Sequence, residues 1–116
     1  MNKAILVGRI GQKPELKYTA SQVAVTNISV ATTEAIKDKE DVTEWTRVVV
    51  FGKTAEFVAN YLDKGGLVYV EGRLQTRSWD DKDGVKKYST EVIANVVTAL
   101  SKAPESSASS EGPFGG

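Results

Sequence analysis

The fold of this chain is decided by residues 54–65, which read TAEFVANYLDKG and interrupt a sequence otherwise patterned as β-strands. Apolar side chains stand at positions 57, 58, 61 and 62, which is the spacing of one helix face. Thr54 is predicted to cap this helix, Glu56 to lie near the positive end of its dipole, and Gly65 to follow its last turn. The stretch therefore predicts one short helix.

The segments on both sides of this helix are short, apolar and rich in valine, as strands are. Three predicted strands precede the helix, and two follow it. The first strand is N-terminal and carries residues 3 and 9. The other four strands cover residues 23–30, 45–51, 67–79 and 88–97. The alternation slips between Val25 and Ile28, which predicts a β-bulge. Gly72 predicts a sharp bend inside the fourth strand, and Asp83-Gly84 predicts the turn of a long hairpin.

Three strands, one helix and two strands follow one another in the order of the OB-fold, a five-stranded Greek-key barrel. The sequence thus predicts an all-β protein with one short helix. An SH3-like barrel is the alternative, although it usually lacks such a helix. From Ala103 onward serine, glycine and proline dominate, so we predict a domain over residues 1–102 and a disordered tail over residues 103–116.

The composition excludes several classes of chemistry. The 116 residues contain no cysteine and no histidine, which removes disulfides, Cys/His zinc sites and histidine-assisted nucleophiles. The acids at the hairpin turn lack the ligand pattern of a calcium loop, so neither a metal nor another cofactor is expected. No apolar run approaches the ~20 residues that span a bilayer, and we expect a cytoplasmic protein without a membrane partner.

The charge balance is uninformative until the chain is divided. Fifteen basic and fifteen acidic side chains give a formal charge of zero. The tail holds Glu105 and Glu111 and no base, which leaves residues 1–102 with a net charge of +2. Such a mildly basic domain does not reveal a polyanionic ligand by its total charge, so the placement of the cations has to be considered instead.

Strand parity places aromatic and basic side chains together on the outside of the third strand. Val48 and Val50 are predicted to face the core beside Thr46, whereas the outward set comprises Trp45, Arg47, Val49 and Phe51. The fourth strand repeats this arrangement. Its inward set is predicted to include Leu74 and Thr76, and its outward set Arg77 and Trp79.

Two strands that each present a tryptophan near an arginine suit single-stranded nucleic acid. Unpaired bases offer flat faces for stacking, and phosphates need cations between the stacking platforms. Burial under a loop or in a subunit interface is the alternative for the aromatic side chains. A solvated cross-strand salt bridge is the alternative for Arg47 and Arg77.

Three separate motifs resemble those of bacterial single-stranded DNA-binding proteins, the SSB family. They are NKAILVGRIGQKPE at residues 2–15, TEWTRVVVFGK at residues 43–53 and YVEGRLQTRSW at residues 69–79. The resemblance extends over residues 1–100 and implies an OB-fold that binds single-stranded DNA with little sequence preference. It further implies a non-catalytic homotetramer, associated with the nucleoid, that protects exposed strands during DNA replication, recombination and repair.

Motif matching carries the family's binding residues onto this sequence. The resemblance implies base stacking by Trp45, Phe51 and Trp79. It implies a phosphate path lined by Arg47, Lys53, Lys64 and Arg77, joined by Lys3 and Arg9 of the first strand. Tyr69 falls where the family makes subunit contacts and is therefore left out of the DNA-binding set.

Three departures from the family pattern qualify these expectations. Ala35-Ile36 stands where members often carry a further tryptophan, so one stacking platform is expected to be missing. Thr46 replaces a histidine that often lies at a subunit contact, which affects the expected tetramer. Pro113-Phe114 resembles the tip that docks replication and repair proteins, but two glycines follow it and few acids precede it. We therefore expect recruitment through the tail to be weakened.

Other functions remain open at this stage. An interaction module resembling the primosomal replication protein N would use the Trp45 and Phe51 face as a protein interface. RNA is an alternative ligand, because nothing in the sequence is seen to recognise a 2′-hydroxyl. An enzyme would need a carboxylate pair or a lysine nucleophile in a pocket, and the scattered acids do not indicate one.

Overall fold

The computed structural model describes residues 1–35 and 37–101. In chain order its elements are β1 (Ala4–Ile10), β2 (Lys17–Tyr18), β3 (Ala24–Glu34), β4 (Val42–Phe51), α1 (Gly52–Tyr61), β5 (Leu67–Asp80) and β6 (Lys86–Ser101). The five predicted strands and the predicted helix are present, and the two-residue strand β2 is an addition. The predicted tail, with Pro113 and Phe114, lies outside the described residues.

The strand β1 closes the sheet into a barrel because it pairs on both of its edges. The strand order is β1-β5-β6-β4-β3-β2, and β1 pairs in addition with β3 through Arg9 with Ala31 and Ile10 with Val30. β4 and β6 run parallel, with Val48 opposite Val92. A closed ring of five strands with a helix between β4 and β5 is the predicted OB-fold.

Branched aliphatic side chains fill the barrel, as the valine-rich strands predict. Val48 and Val50 of β4 are fully buried, which confirms their predicted inward position. Val49 was predicted to face outward, but it is buried as well. Burial of each such side chain stabilises the fold by about 1.5–3 kcal/mol. The largest fully buried aliphatic residues of the described chain are Ile10, Ile28, Val30, Val48, Val50, Val58, Val68, Val70 and Val92.

The predicted bulge in β3 is wrong. The register of β3 with β4 runs without a break from Val25 opposite Phe51 to Glu34 opposite Val42. Thr26 is the reason, because it occupies an inward position between Ala24 and Ile28 and is 1% exposed. Its hydroxyl Oγ1 has no hydrogen-bond partner among the described residues, so Thr26 packs as a branched side chain of valine shape. Counting threonine as polar produced the false slip.

The irregular pairing lies instead between β5 and β6. Glu71 pairs with Val96 and Gly72 with Ala94, so Asn95 is an extra residue on β6. A Cβ at position 72 would collide with the backbone of Ile93, which explains the glycine at the predicted bend. Beyond this bulge the two strands leave the barrel as a hairpin arm.

Leu74 corrects the prediction for this arm. We predicted Leu74 and Thr76 on the core side, but Leu74 is 47% exposed and Thr76 is exposed as well. The reason is that the barrel ends at Gly72 and the arm has no core beneath it. The predicted turn is present. The carboxylate Oδ1 of Asp81 accepts hydrogen bonds from the backbone N–H groups of Asp83 and Val85 at 2.8 and 2.9 Å, and Gly84 adopts a φ of 80°.

The helix α1 begins three residues earlier than predicted and ends earlier as well. Phe51 occupies the N-cap without a side-chain hydrogen bond, so the predicted Thr54 cap is wrong. At the other end Leu62 caps the helix through its N–H to the carbonyl of Val58, and Gly65 lies in the loop beyond. The N–H of Gly65 donates to the carbonyl of Ile10 at 2.8 Å, which ties this loop to β1. Glu56 lies outside the first turn, so its predicted role at the dipole is wrong.

Candidate nucleic-acid interface

Trp45 packs beside the loop that follows β1 and remains available to a ligand. It is 61% exposed although it stands in the middle of β4. Its ring occupies the space beside Gly11, where any Cβ would collide with the ring. The glycine therefore lets the indole lie against the loop while one of its sides remains open to solvent.

Arg47 and Arg77 are brought together by a residue that sequence reasoning missed. The carboxylate Oε2 of Glu91 lies 3.1 Å from Nε of Arg47 and 3.3 Å from a terminal nitrogen of Arg77. Glu91 is only 4% exposed, whereas each arginine side chain is about half exposed. The salt-bridge alternative considered for these arginines is thus present, with one acid serving both.

The topology explains this cluster. β6 lies between β4 and β5, parallel to the first and antiparallel to the second. Glu91 precedes Val92, which is level with Val48, and it stands directly opposite Gln75. One outward side chain of β6 therefore reaches outward side chains of both neighbours. Knowledge of the parallel β4–β6 pairing was needed to find Glu91, and the linear sequence carries no local signal for it.

Trp79 completes this face on the hairpin arm. It is 42% exposed, and the guanidinium carbon of Arg77 lies 5.0 Å from the centroid of its ring, within cation–π range. The structure therefore shows each predicted tryptophan near its predicted arginine. We call this surface the tryptophan–arginine face, and its members are Trp45, Arg47, Arg77, Trp79 and Glu91.

A groove of about 610 Å³ adjoins Trp45 and Arg47. Asn27 and Ser29, outward residues of β3, line this groove together with Lys13, Glu15 and Lys17. The two lysines were not among the predicted binding residues. The outward parity of β3 and the basic residues of the loop after β1 were the signals that could have pointed to this groove.

Phe51, Lys53 and Lys64 lie around the helix rather than in the Glu91 cluster. Phe51 ends β4 and is 45% exposed. Lys53 stands in the first turn of α1, and Lys64 follows the helix; both are exposed. No carboxylate of residues 1–35 and 37–101 forms a salt bridge with either lysine, so both ammonium groups could contact a phosphate.

Lys3 and Arg9 have contacts elsewhere. Nζ of Lys3 lies 3.0 Å from the carboxylate of Glu71, which also accepts a hydrogen bond from the Tyr69 hydroxyl at 2.8 Å. The tyrosine hydrogen bond, followed by that of Lys3, lowers the pKa of Glu71, and the bond to Glu71 raises the pKa of Lys3. Arg9 donates to the carbonyl of Gly65 at 2.9 Å. No hydrogen bond or salt bridge within residues 1–35 and 37–101 joins either side chain to the arginines at Glu91.

Two exposed aliphatic side chains lie beside Lys3 on the same side of the sheet. Ile5 and Val7 alternate with it along β1, stand opposite Glu71 and Tyr69, and are both more than half exposed. We call this surface the β1 face, and its members are Lys3, Ile5, Val7, Tyr69 and Glu71. Exposed neighbouring aliphatic side chains of this kind are typical of a protein contact.

Two further kinds of site were searched for in the described residues, a membrane-spanning helix and a metal-binding group of acids. Within residues 1–35 and 37–101, no helix has the length and apolarity that crossing a membrane requires. The same residues contain no group of three or more acids placed to hold a metal ion. Asp81 uses its carboxylate to shape the hairpin turn, which is a structural role.

Comparison with known proteins agrees with this geometry. A model of the single-strand binding protein family matches residues 1–100. Among solved structures, the chain is similar to a Plasmodium falciparum SSB in complex with ssDNA, with 34% sequence identity and a TM-score of 0.80. The match covers 86% of this chain and 95% of the Plasmodium chain.

Proposed function

This chain belongs to the single-strand binding protein family, whose model matches residues 1–100. From this premise we propose how the chain binds its DNA. The chain binds single-stranded DNA. The family is a non-catalytic DNA-binding family, and we propose that this chain likewise holds the strand without reacting with it. Its role would be to protect exposed strands during replication, recombination and repair, in the cytoplasm and at the nucleoid.

The tryptophan–arginine face is the proposed centre of binding. One observation carries this proposal. Trp45 and Trp79 are exposed, and the arginine near each of them, Arg47 on β4 and Arg77 on β5, pairs with the same carboxylate of Glu91 on β6. Stacking of a base on an aromatic ring contributes about 1–3 kcal/mol. The guanidinium groups supply the cations that the phosphates between stacked bases require.

The strand is proposed to continue from this face in two directions. Past Arg47 the DNA strand would reach the groove that Lys13, Lys17 and polar side chains of β3 line. Past Phe51 it would meet Lys53 and then Lys64. Lys3 is proposed to contribute less than the sequence motif implies, because its ammonium group pairs with Glu71. Arg9 gives one terminal nitrogen to a backbone carbonyl and keeps its other N–H groups for a phosphate.

Little sequence preference follows from the kind of contact. Every base has a flat face that can stack, and a phosphate is the same at each position of the strand. A duplex would use the face poorly, because its bases are already stacked on one another. RNA would share both contacts, so the preference for DNA is tested by comparing matched DNA and RNA oligonucleotides.

Quenching of intrinsic tryptophan fluorescence tests the proposed surface. Titration of the full chain with an oligo-dT strand at low salt is expected to quench the emission in a saturable way, because both tryptophans stack on bases. A matched duplex at equal phosphate concentration should quench far less. A flat titration with oligo-dT would contradict the proposal.

We also propose that the chain assembles into a homotetramer through the β1 face. The exposed Ile5 and Val7 and the half-buried Tyr69 form a largely apolar strip there, and Val96 lies beside Glu71. Thr46 occupies a different face, so its departure from the family pattern does not affect this strip. Solution mass of the full chain with and without poly-dT tests this proposal, and a monomeric mass in both states would contradict it.

Recruitment of replication and repair proteins is proposed to involve the tail residues Pro113 and Phe114. The motif Pro113-Phe114 supports this role. The substitution Phe114→Ala in the full chain should therefore reduce capture of a partner that binds such a tip. Equal capture by the two chains would contradict recruitment through these residues.

A further inference from the structure

Glu91 is an unexpected residue at the centre of a surface that binds a polyanion. It is a carboxylate and is 4% exposed. Both of the arginines proposed to face the DNA contact the same one of its two oxygens, Oε2. A buried acid needs partners for its charge, and here two guanidinium groups from two different strands supply them.

The contacts leave each arginine able to bind a second anion. Nε of Arg47 forms an ion pair with Oε2 of Glu91, which leaves both terminal amino groups of Arg47 for another anion. Arg77 uses one terminal nitrogen and is about half exposed. A guanidinium carries five N–H donors, so a phosphate can be bound while the contact to Glu91 persists. The carboxylate then remains beside the bound phosphate and repels it.

We propose that Glu91 is a positioning residue that moderates the affinity of this protein for single-stranded DNA. It fixes two guanidinium groups from β4 and β5 over the sheet and cancels one of their two positive charges. The strand is held by a preorganised site with a net charge of +1, from which it dissociates faster than from an uncompensated pair. This inference rests on the proposed function of the tryptophan–arginine face.

The substitution Glu91→Gln tests the charge while keeping the shape. The amide oxygen can still accept one guanidinium N–H, but the repulsion of phosphate is gone. We expect oligo-dT to bind about three- to tenfold more tightly at low salt. The plot of log K against log salt should become steeper by about 0.7, the contribution of one more neutralised phosphate on a single strand. Most of the gain should appear as slower dissociation.

Two control variants separate this local effect from simpler explanations. Glu56→Gln on the exposed side of α1 makes the same change in net charge away from the cluster, and it should leave both the affinity and the slope near those of the parent chain. Glu91→Asp keeps the charge but shortens the reach, so its salt slope should stay that of the parent even where its affinity falls.

The outcomes distinguish the inference from the proposed function. If the parent chain binds oligo-dT but Glu91→Gln binds equally or more weakly with an unchanged slope, Glu91 is only structural and the inference is wrong. If the parent chain itself fails to bind, the proposed function is wrong.

Gln75→Glu provides the reciprocal test if Glu91→Gln does not fold. Gln75 is exposed on β5 directly opposite Glu91, so a second carboxylate there should weaken binding several-fold and flatten the slope. Unchanged binding by a folded Gln75→Glu variant would contradict moderation by charge at this site.

Discussion

The tryptophan–arginine face and the β1 face share one device and differ in what surrounds it. In each, one carboxylate pairs with basic side chains: Glu91 with two arginines, and Glu71 with Lys3. Exposed tryptophans flank the first pair, whereas Ile5 and Val7 flank the second. An ion pair alone therefore does not identify a DNA surface, because its aromatic or aliphatic neighbours determine the partner it suits.

The donors that remain after pairing also differ between the two faces. A guanidinium keeps several N–H groups after it contacts Glu91, and its plane can stack on Trp79. The Lys3 ammonium is a single compact charge that Glu71 largely neutralises. The same acid–base pairing is thus compatible with phosphate binding on one face and favours a dry protein contact on the other.

Loss of stacking should have the largest effect on this comparison. Each of Trp45→Ala and Trp79→Ala should cost about 1–3 kcal/mol of binding free energy, or roughly 5- to 150-fold in affinity, and the double variant more. Fluorescence anisotropy of a labelled oligo-dT strand measures this loss. Tyr88→Ala serves as the control, since Tyr88 is exposed on the opposite side of the same arm. An equal loss in that variant would remove the distinction between the two sides.

Loss of one arginine should be the next largest effect, and it should differ in kind. Arg77→Gln is expected to weaken binding about fivefold and to flatten the salt slope by about 0.7, because one phosphate loses its cation. The tryptophan variants should keep the parent slope, since stacking releases no counterions. If the salt slope of Arg77→Gln equals that of the parent chain, this arginine contacts Glu91 but no phosphate.

A smaller effect is expected in the groove beside Trp45. The substitutions Lys13→Gln and Lys17→Gln should each weaken binding about two- to threefold, because exposed lysines make a single screened contact with phosphate. A longer oligo-dT strand should show a larger effect than a short one that covers only the two tryptophans. No effect at any strand length would exclude the groove from the path.

The β1 face should respond to pH and leave DNA binding unchanged. Because the pKa of Glu71 is lowered in the folded chain, its contribution to stability is present above the ordinary carboxyl pKa and is lost as pH falls through the lowered value. The raised pKa of Lys3 means that its contribution is lost only as pH rises through that raised value. Urea unfolding of the parent and of Glu71→Gln should therefore converge in acid. A constant difference down to the lowest pH would contradict this linkage.

The sequence predicted the barrel because alternation and one helical segment are local signals. The valine-rich strands, the helix between β4 and β5 and the turn at Asp83-Gly84 all follow from residues close together in the chain. Thr26 misled the prediction, since a buried hydroxyl resembles a polar position. Leu74 misled it as well, because its burial depends on where the barrel ends rather than on its own strand.

Strand alternation predicted those parts of the candidate site in which the residues share one strand. Alternation placed Trp45 with Arg47 and Arg77 with Trp79. It could not place Glu91 between them, because that contact depends on the parallel pairing of β4 with β6. The contacts of Lys3 and Arg9 with Glu71 and Gly65 likewise join residues distant in sequence, and no motif reveals them.

Single-tryptophan variants provide the most direct test of the central claim, that one strand occupies both ends of the tryptophan–arginine face. Trp45→Phe leaves Trp79 as the only tryptophan of the chain, and Trp79→Phe leaves Trp45. An oligo-dT strand long enough to cover both rings should quench each variant strongly, with similar midpoints that differ only by the small effect of each substitution. Quenching of one variant with a flat titration of the other would contradict a shared DNA surface.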